Sequence, residues 1–117
     1  LPIWLADGTR PRLELRARRP DHLAEGPAER RGLWPWARAR DALRAAGTAA
    51  ALSTDAGRYV CETTYWAGLG ALGAGGPRLA AFLHVPPLSE EWPVARVADA
   101  VAACLDAGRA AAGISAA

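Results

Sequence analysis

The chain has 117 residues, of which 51% are hydrophobic and 22% are charged, and its formal net charge is +2. This length suits a single domain over 1–117, and the high apolar fraction with modest charge excludes an intrinsically disordered chain. No apolar run approaches the roughly 18 residues that a membrane-spanning helix needs, and no signal peptide is recognisable, so we expect no membrane partner.

All 14 basic residues are arginine, and the 12 acidic residues nearly balance them. A nucleic-acid interface requires a basic stripe on one side of the fold. The first arginine cluster, 10–19, is instead interrupted or flanked by carboxylates: Asp7, Glu14, Asp21, Glu25 and Glu29. We therefore predict no nucleic-acid partner. The chain also lacks methionine and begins at Leu1, and we expect that processing or truncation removed its start.

Turn-forming residues dominate 1–35, where an alternation of apolar and charged residues at 13–17 predicts a half-buried strand. A helix is predicted from Pro35 to Ala46, because apolar positions recur at helical spacing and Gly47 provides a stop. The short apolar run at 49–52 predicts a buried strand, and a turn-prone segment follows it.

A second helix is predicted from Val60 up to the glycine-rich loop at 70–77. The nearly continuous apolar run at 78–85 is typical of a strand buried in a parallel sheet. Residues from Ser89 onward resemble a helix start, and an apolar stripe follows: Val94, Val97, Ala98, Val101, Cys104 and Leu105. Strands alternating with helices predict an α/β fold with a mostly parallel sheet and flanking helices.

The two cysteines invite different interpretations. Cys104 lies on the apolar stripe of the last helix, which favours core packing. Cys61 opens a helix, where the backbone N–H groups and the helix dipole favour a reactive thiolate, although by itself it could equally fill the core. Their spacing fits neither a disulfide framework nor a zinc site, so we predict a reducing, cytoplasmic compartment and no metal.

His84 stands at the end of the clearest predicted strand, and functional residues of parallel α/β sheets gather at the carboxyl ends of strands. A cysteine with a histidine is the minimal nucleophile and base, and Glu14 on another predicted strand is available to orient the imidazole. A lone histidine is more often structural, so that alternative stays open. Residues 68–73 match GxGxxG, but a helix precedes them and a strand follows, the reverse of a dinucleotide site, so we predict no cofactor.

Two segments resemble pyroglutamyl peptidase I, also called pyrrolidone-carboxylate peptidase. Residues 53–65, STDAGRYVCETTY, are similar to the family's nucleophile segment S-x-x-A-G-x-[FY]-x-C-N-x-x-x-Y, and 82–86, FLHVP, to its histidine segment F-x-H-[VI]-P. The resemblance covers 33–106 and, more loosely, 5–32. It implies a three-layer αβα fold of the peptidase/phosphorylase type and the C-terminal portion of such a domain, which is then incomplete.

The resemblance also implies a cysteine peptidase that removes an N-terminal pyroglutamyl residue from peptides through an acyl-enzyme. Cys61 would be the nucleophile, His84 the general base and then acid, and Glu14 the third member of the triad. Glu14 begins ELRA, the first four positions of the family's E-x-x-A-x-N. Arg18 begins RRPD, which is similar to the family's R-I-P-D, whose arginine helps to stabilise the oxyanion.

Departures from the family pattern leave a second hypothesis open. Glu62 stands where asparagine usually follows the nucleophile, and full-length members are nearly twice as long, with an N-terminal half that grips the pyroglutamyl ring. The chain could therefore be a non-catalytic fragment or diverged homologue that acts as a structural or interaction module. A homo-oligomer is also possible, because four tryptophans could either contact a partner subunit or pack inside the chain: Trp34, Trp36, Trp66 and Trp92.

Overall fold

The computed structural model describes residues 10–73, 75 and 78–113. The predicted turn-rich start at 1–9 and part of the predicted glycine loop, 74 and 76–77, lie outside the described residues. Five short strands and three helices follow one another in chain order: β1 (Arg12–Glu14), β2 (Arg16–Arg18), β3 (Glu29–Arg31), α1 (Trp36–Ala45), β4 (Ala51–Ser53), α2 (Val60–Gly70), β5 (Phe82–His84) and α3 (Val94–Ala112).

The strands form two small sheets. In the first, β1 is central and pairs in parallel with β4 and antiparallel with β5. In the second, β2 and β3 pair antiparallel. The α/β class predicted from the sequence is confirmed, while the three-stranded sheet is mixed because β5 runs against β1. Only one of its two strand pairs is therefore parallel.

Helices cover both faces of the three-stranded sheet, as a three-layer arrangement requires. Leu13 on β1 packs into a core with Leu43 of α1 and Cys104 of α3, and Leu52 and Leu83 from the neighbouring strands pack against it. Side chains alternate across a strand, so Glu14 and Phe82 point to the opposite face. On that side Phe82 packs against a second cluster, which contains Ala17, Tyr65, Trp66 and Leu69.

Small residues allow α3 to approach closely. Its buried positions are Ala100, Cys104, Ala107 and Gly108. A Cβ on Gly108 would clash with the Trp34 ring, so glycine is needed there for steric reasons. The valine-rich part of the predicted stripe is largely exposed, because α3 buries its small-residue face against α1 and Trp34 instead.

The first predicted strand, 13–17, is two strands that belong to different sheets. The break falls at Leu15, whose N–H donates to the Ser53 carbonyl at 2.8 Å while its own carbonyl accepts from Gly32 N–H at 3.0 Å. The residues that open the long apolar run, 78–81, lie outside β5, which spans only Phe82–His84. In 10–73, 75 and 78–113, no helix has both the length and the apolar character needed to cross a membrane.

Candidate active site

Glu14 and His84 are joined by a buried hydrogen bond. Glu14 is 0% exposed and His84 is 6% exposed, and the Nδ1 atom of His84 lies 2.9 Å from Glu14 Oε2. The pairing explains the contact: Glu14 is opposite Phe82, so His84 is its diagonal neighbour on the same face of the sheet. An ionised carboxylate only accepts, so Nδ1–H donates to it and Nε2 is left as the basic nitrogen.

Tyr65 fixes the position of α2 over this pair. Its hydroxyl donates to the Glu14 carbonyl at 2.9 Å, and its ring lies 5.9 Å from that of Phe82, which in turn lies 5.1 Å from the His84 ring. Burial, with the negative charge of Glu14, raises the pKa of Tyr65 to about 12. Tyr65 therefore remains a neutral hydrogen-bond donor at physiological pH.

Cys61 lies in the first turn of α2 and is half-buried. Residues four apart share one face of a helix, so Cys61 and Tyr65 face the same side, towards the sheet face that carries Glu14 and His84. No side chain caps the start of α2, whose first N–H groups have no partner within the helix. The same turn therefore presents a thiol and backbone donors suited to an oxyanion.

Arg18 is held beside this turn by two carboxylates. Its Nε donates to Glu62 Oε2 at 3.0 Å and its Nη2 to Asp55 Oδ1 at 2.5 Å. The hydrogen bond with Glu62 raises the pKa of Arg18 above its ordinary value, and the N–H of Gly57, together with Arg18, lowers that of Asp55. The predicted oxyanion residue thus lies next to the residue that follows Cys61.

Comparison with solved structures then shows what this arrangement is similar to. No family model and no curated protein matches the sequence. The folded chain is similar to pyrrolidone carboxyl peptidase from Pyrococcus furiosus, with a TM-score of 0.73 and 19% identity. A mutant pyrrolidone carboxyl peptidase from that organism gives a TM-score of 0.74 at 19% identity. The enzyme from Thermus thermophilus gives 0.69 at 24% identity. The chain has the fold of a pyrrolidone carboxyl peptidase.

The likeness covers most of this chain and a smaller share of the other proteins. It spans 87% of this chain and 64% of the Pyrococcus furiosus enzyme, and 83% of this chain and 62% of the Thermus thermophilus enzyme. The chain thus spans less than two thirds of the pyrrolidone carboxyl peptidases it matches. The fold implied by the sequence resemblance is confirmed, and the roles of the individual residues remain predictions.

Glu62 departs from the pyrrolidone carboxyl peptidase pattern, and in the structure it forms ion pairs with two arginines. It is 3% exposed, and Arg58 Nη1 donates to its Oε1 at 3.0 Å while Arg18 holds Oε2. Arg58 also donates from Nη2 to Asp21 Oδ1 at 2.6 Å. These ion pairs therefore connect α2 to the loop after β2. Sequence reasoning missed this role, because Arg58 lies before the start of α2 and its ion pair with Glu62 is not a pair within the helix that a periodic pattern would mark.

We expect Glu62→Ala to lower the free energy of unfolding by about 2 kcal/mol, because it removes the buried partner of two arginines that can regain only part of their hydration. Glu62→Gln keeps the shape and the hydrogen-bonding oxygen, so about half of that loss is expected. Urea unfolding of both variants measures the difference. Glu90→Ala, at an exposed position, is the control and should leave stability unchanged. Equal stability of Glu62→Ala and wild type would contradict the structural role.

Two predictions about side-chain packing have structural outcomes. Cys104 is buried in the main core, as predicted. Trp66 and Trp92 are buried, and Trp34 and Trp36 pack against the core, so the internal-packing interpretation of the tryptophans is confirmed. His22 is exposed in the turn after β2. Across the part of the chain that the structure describes, no three His, Cys, Asp or Glu side chains are grouped to hold a metal ion.

Proposed function

We propose that the chain belongs to a cysteine peptidase that removes the N-terminal pyroglutamyl residue from peptides. The observation that carries this proposal is the buried Glu14–His84 hydrogen bond, at 2.9 Å, on the sheet face towards which α2 turns Cys61. A carboxylate that orients an imidazole is one part of a catalytic triad, and a thiol on the helix that faces this pair is suited to be its nucleophile. The fold of pyrrolidone carboxyl peptidases supports the same reaction class.

In the proposed mechanism, His84 Nε2 takes the proton of the Cys61 thiol as sulfur attacks the pyroglutamyl carbonyl carbon. The carbonyl oxygen becomes an oxyanion, which the N–H groups at the start of α2 stabilise, with Arg18 as the nearby positive charge. The C–N bond then breaks and His84 returns the proton to the leaving amine. Water, activated by His84, hydrolyses the thioester and releases pyroglutamate and the free thiol.

This mechanism gives Glu14 a positioning role. Its acceptor oxygen holds the Nδ1–H tautomer of His84 and stabilises the imidazolium formed during the reaction. A reducing compartment such as the cytoplasm would preserve the thiol.

The test uses two matched substrates with the purified chain: a fluorogenic pyroglutamyl amide and the corresponding prolyl amide. They differ only in the ring carbonyl, so release from the first and not from the second is the expected result. Release should cease after alkylation with iodoacetamide, since the thiolate is the nucleophile. A folded chain that hydrolyses neither amide would contradict the proposal.

The ion pair of Glu62 with Arg18 favours a second candidate function. Because Glu62 engages the predicted oxyanion residue, the proposed alternative is a structural or interaction module without catalysis. In that case Cys61 would have no activating environment. Equal rates of alkylation at Cys61 and at a cysteine in a short unstructured peptide would favour this alternative over the enzyme.

A further inference from the structure

A second positive group meets the Glu14–His84 pair. Arg12 lies two residues before Glu14 on β1 and directly opposite His84 in the antiparallel register. Its Nη2 is 3.5 Å from His84 Nδ1, and its Nε is 3.6 Å from Glu14 Oε2. The Arg12 side chain is only 17% exposed, so solvent screens this contact weakly. Three ionisable groups thus share one nearly buried site.

The geometry decides which of the two contacts of His84 Nδ1 is the hydrogen bond. One nitrogen cannot donate to a carboxylate and accept from a guanidinium through the same position. The 2.9 Å contact with Glu14 is the shorter and involves an acceptor-only group, so Nδ1 carries the proton and donates there. Arg12 therefore faces an N–H group. It attracts the carboxylate and would repel an imidazolium.

The titratable groups of the described residues around His84 carry charges of both signs. From β1, the side chains of Glu14 and Arg12 face His84. From α2, Tyr65 bonds to the Glu14 carbonyl and is neutral, and Cys61 faces the same side as an uncharged thiol or as a thiolate. The charged residues at the start of α2, Glu62, Arg18 and Arg58, bind one another. Among the contacts of the described residues, Arg12 is thus a positive charge that touches both members of the pair and opposes the attraction of Glu14 for a second proton on His84.

We propose that Arg12 is a positioning residue that keeps His84 a neutral imidazole with its proton on Nδ1. This deepens the function proposed above and rests on it for the catalytic consequence: the neutral His84 acts as a general base towards Cys61, and the imidazolium forms only during the reaction. The acceptor oxygen of Glu14 locates the first proton on Nδ1, and the charge of Arg12 offsets the attraction of the Glu14 carboxylate for a second proton.

The chain contains two histidines, which makes the test direct. NMR of the imidazole C–H signals across a pH titration follows both, and His22→Gln assigns them. In Arg12→Gln the midpoint of the His84 titration should rise by about one unit, because the repelling charge is gone. Arg12→Lys should restore the wild-type midpoint. His22 should not respond, nor should His84 in Arg38→Gln, which removes an exposed arginine from α1.

A second measurement needs no variant and remains decisive if Arg12→Gln does not fold. The imidazole nitrogen-15 shifts of wild-type protein at neutral pH distinguish the Nδ1–H tautomer, the Nε2–H tautomer and the imidazolium, and the first is expected. An imidazolium at neutral pH, or an unchanged midpoint in folded Arg12→Gln, would overturn the proposal. Both readouts are independent of hydrolysis, so failure of the proposed function and failure of this inference are separately visible.

Discussion

Replacing Cys61 with alanine is expected to abolish thiol-dependent hydrolysis of a pyroglutamyl amide, lowering kcat/KM by about 10⁴-fold or more. The sulfur forms the bond to the carbonyl carbon in the proposed mechanism, and among the described residues Tyr65 is the neighbouring group on the same helix face. Tyr65 is close on the same helix face, but its hydroxyl is used by the Glu14 carbonyl and its pKa of about 12 keeps it protonated. Steady-state kinetics with the fluorogenic amide measure the loss.

Cys104 provides the matched control. It is 6% exposed in the core beneath the opposite face of the sheet, and burial raises the pKa of its thiol. Cys104→Ala should therefore keep kcat/KM within a few-fold of wild type while costing about 1 kcal/mol of stability through the small cavity that it leaves. If both cysteine variants lost activity equally, a folding defect would explain the result and Cys61 would not be the nucleophile.

Disrupting the His84–Glu14 pair should have the second largest effect on activity. His84→Ala removes the group that moves the proton, and a positioned acid–base residue contributes about 10² to 10⁴ in rate. Glu14→Gln retains the size of the side chain, but its amide can donate to Nδ1 and so stabilise the Nε2–H tautomer, which is not a base at Nε2. We expect a decrease in kcat/KM of similar size, since the analogous loss of a tautomer-fixing carboxylate costs about 10⁴.

His22 is the matched control for this prediction, because it is the second histidine of the chain and is exposed in a turn. His22→Gln should leave kcat within about twofold of wild type, as expected of a surface substitution. Activity in His84→Ala comparable with wild type would rule out His84 as the base.

Local sequence predicted the helices well, since their signals are carried by many residues. The periodicity and the flanking Pro35 and Gly47 predict α1 almost residue for residue. The strands were harder to delimit because each is only three residues long, too short for a period-two pattern to stand out. The β3 strand falls in a region rich in turn formers and consists of charged residues, so nothing in its own composition indicates a strand.

The candidate site was likewise only partly predictable from the sequence. Its residue types and the motif around Cys61 are visible along the chain, and the prediction that Glu14 would accompany His84 agrees with their contact. The reasoning about His84 was wrong in one step: β5 is antiparallel, so His84 lies opposite Arg12 at the start of β1 and not at a shared carboxyl edge. The contact arises from a diagonal pair across the two strands.

The sequence by itself determined the α/β class, the helices, the burial of Cys104 and the identity of the candidate nucleophile and base. Only the tertiary structure decided that Arg12 meets the Glu14–His84 pair and that Glu62 is buried between two arginines. The physical reason is the range of the interactions. Helix periodicity and capping act between neighbours in the chain, whereas the hydrogen bond of Glu14 spans 70 residues and depends on the direction in which β5 pairs with β1.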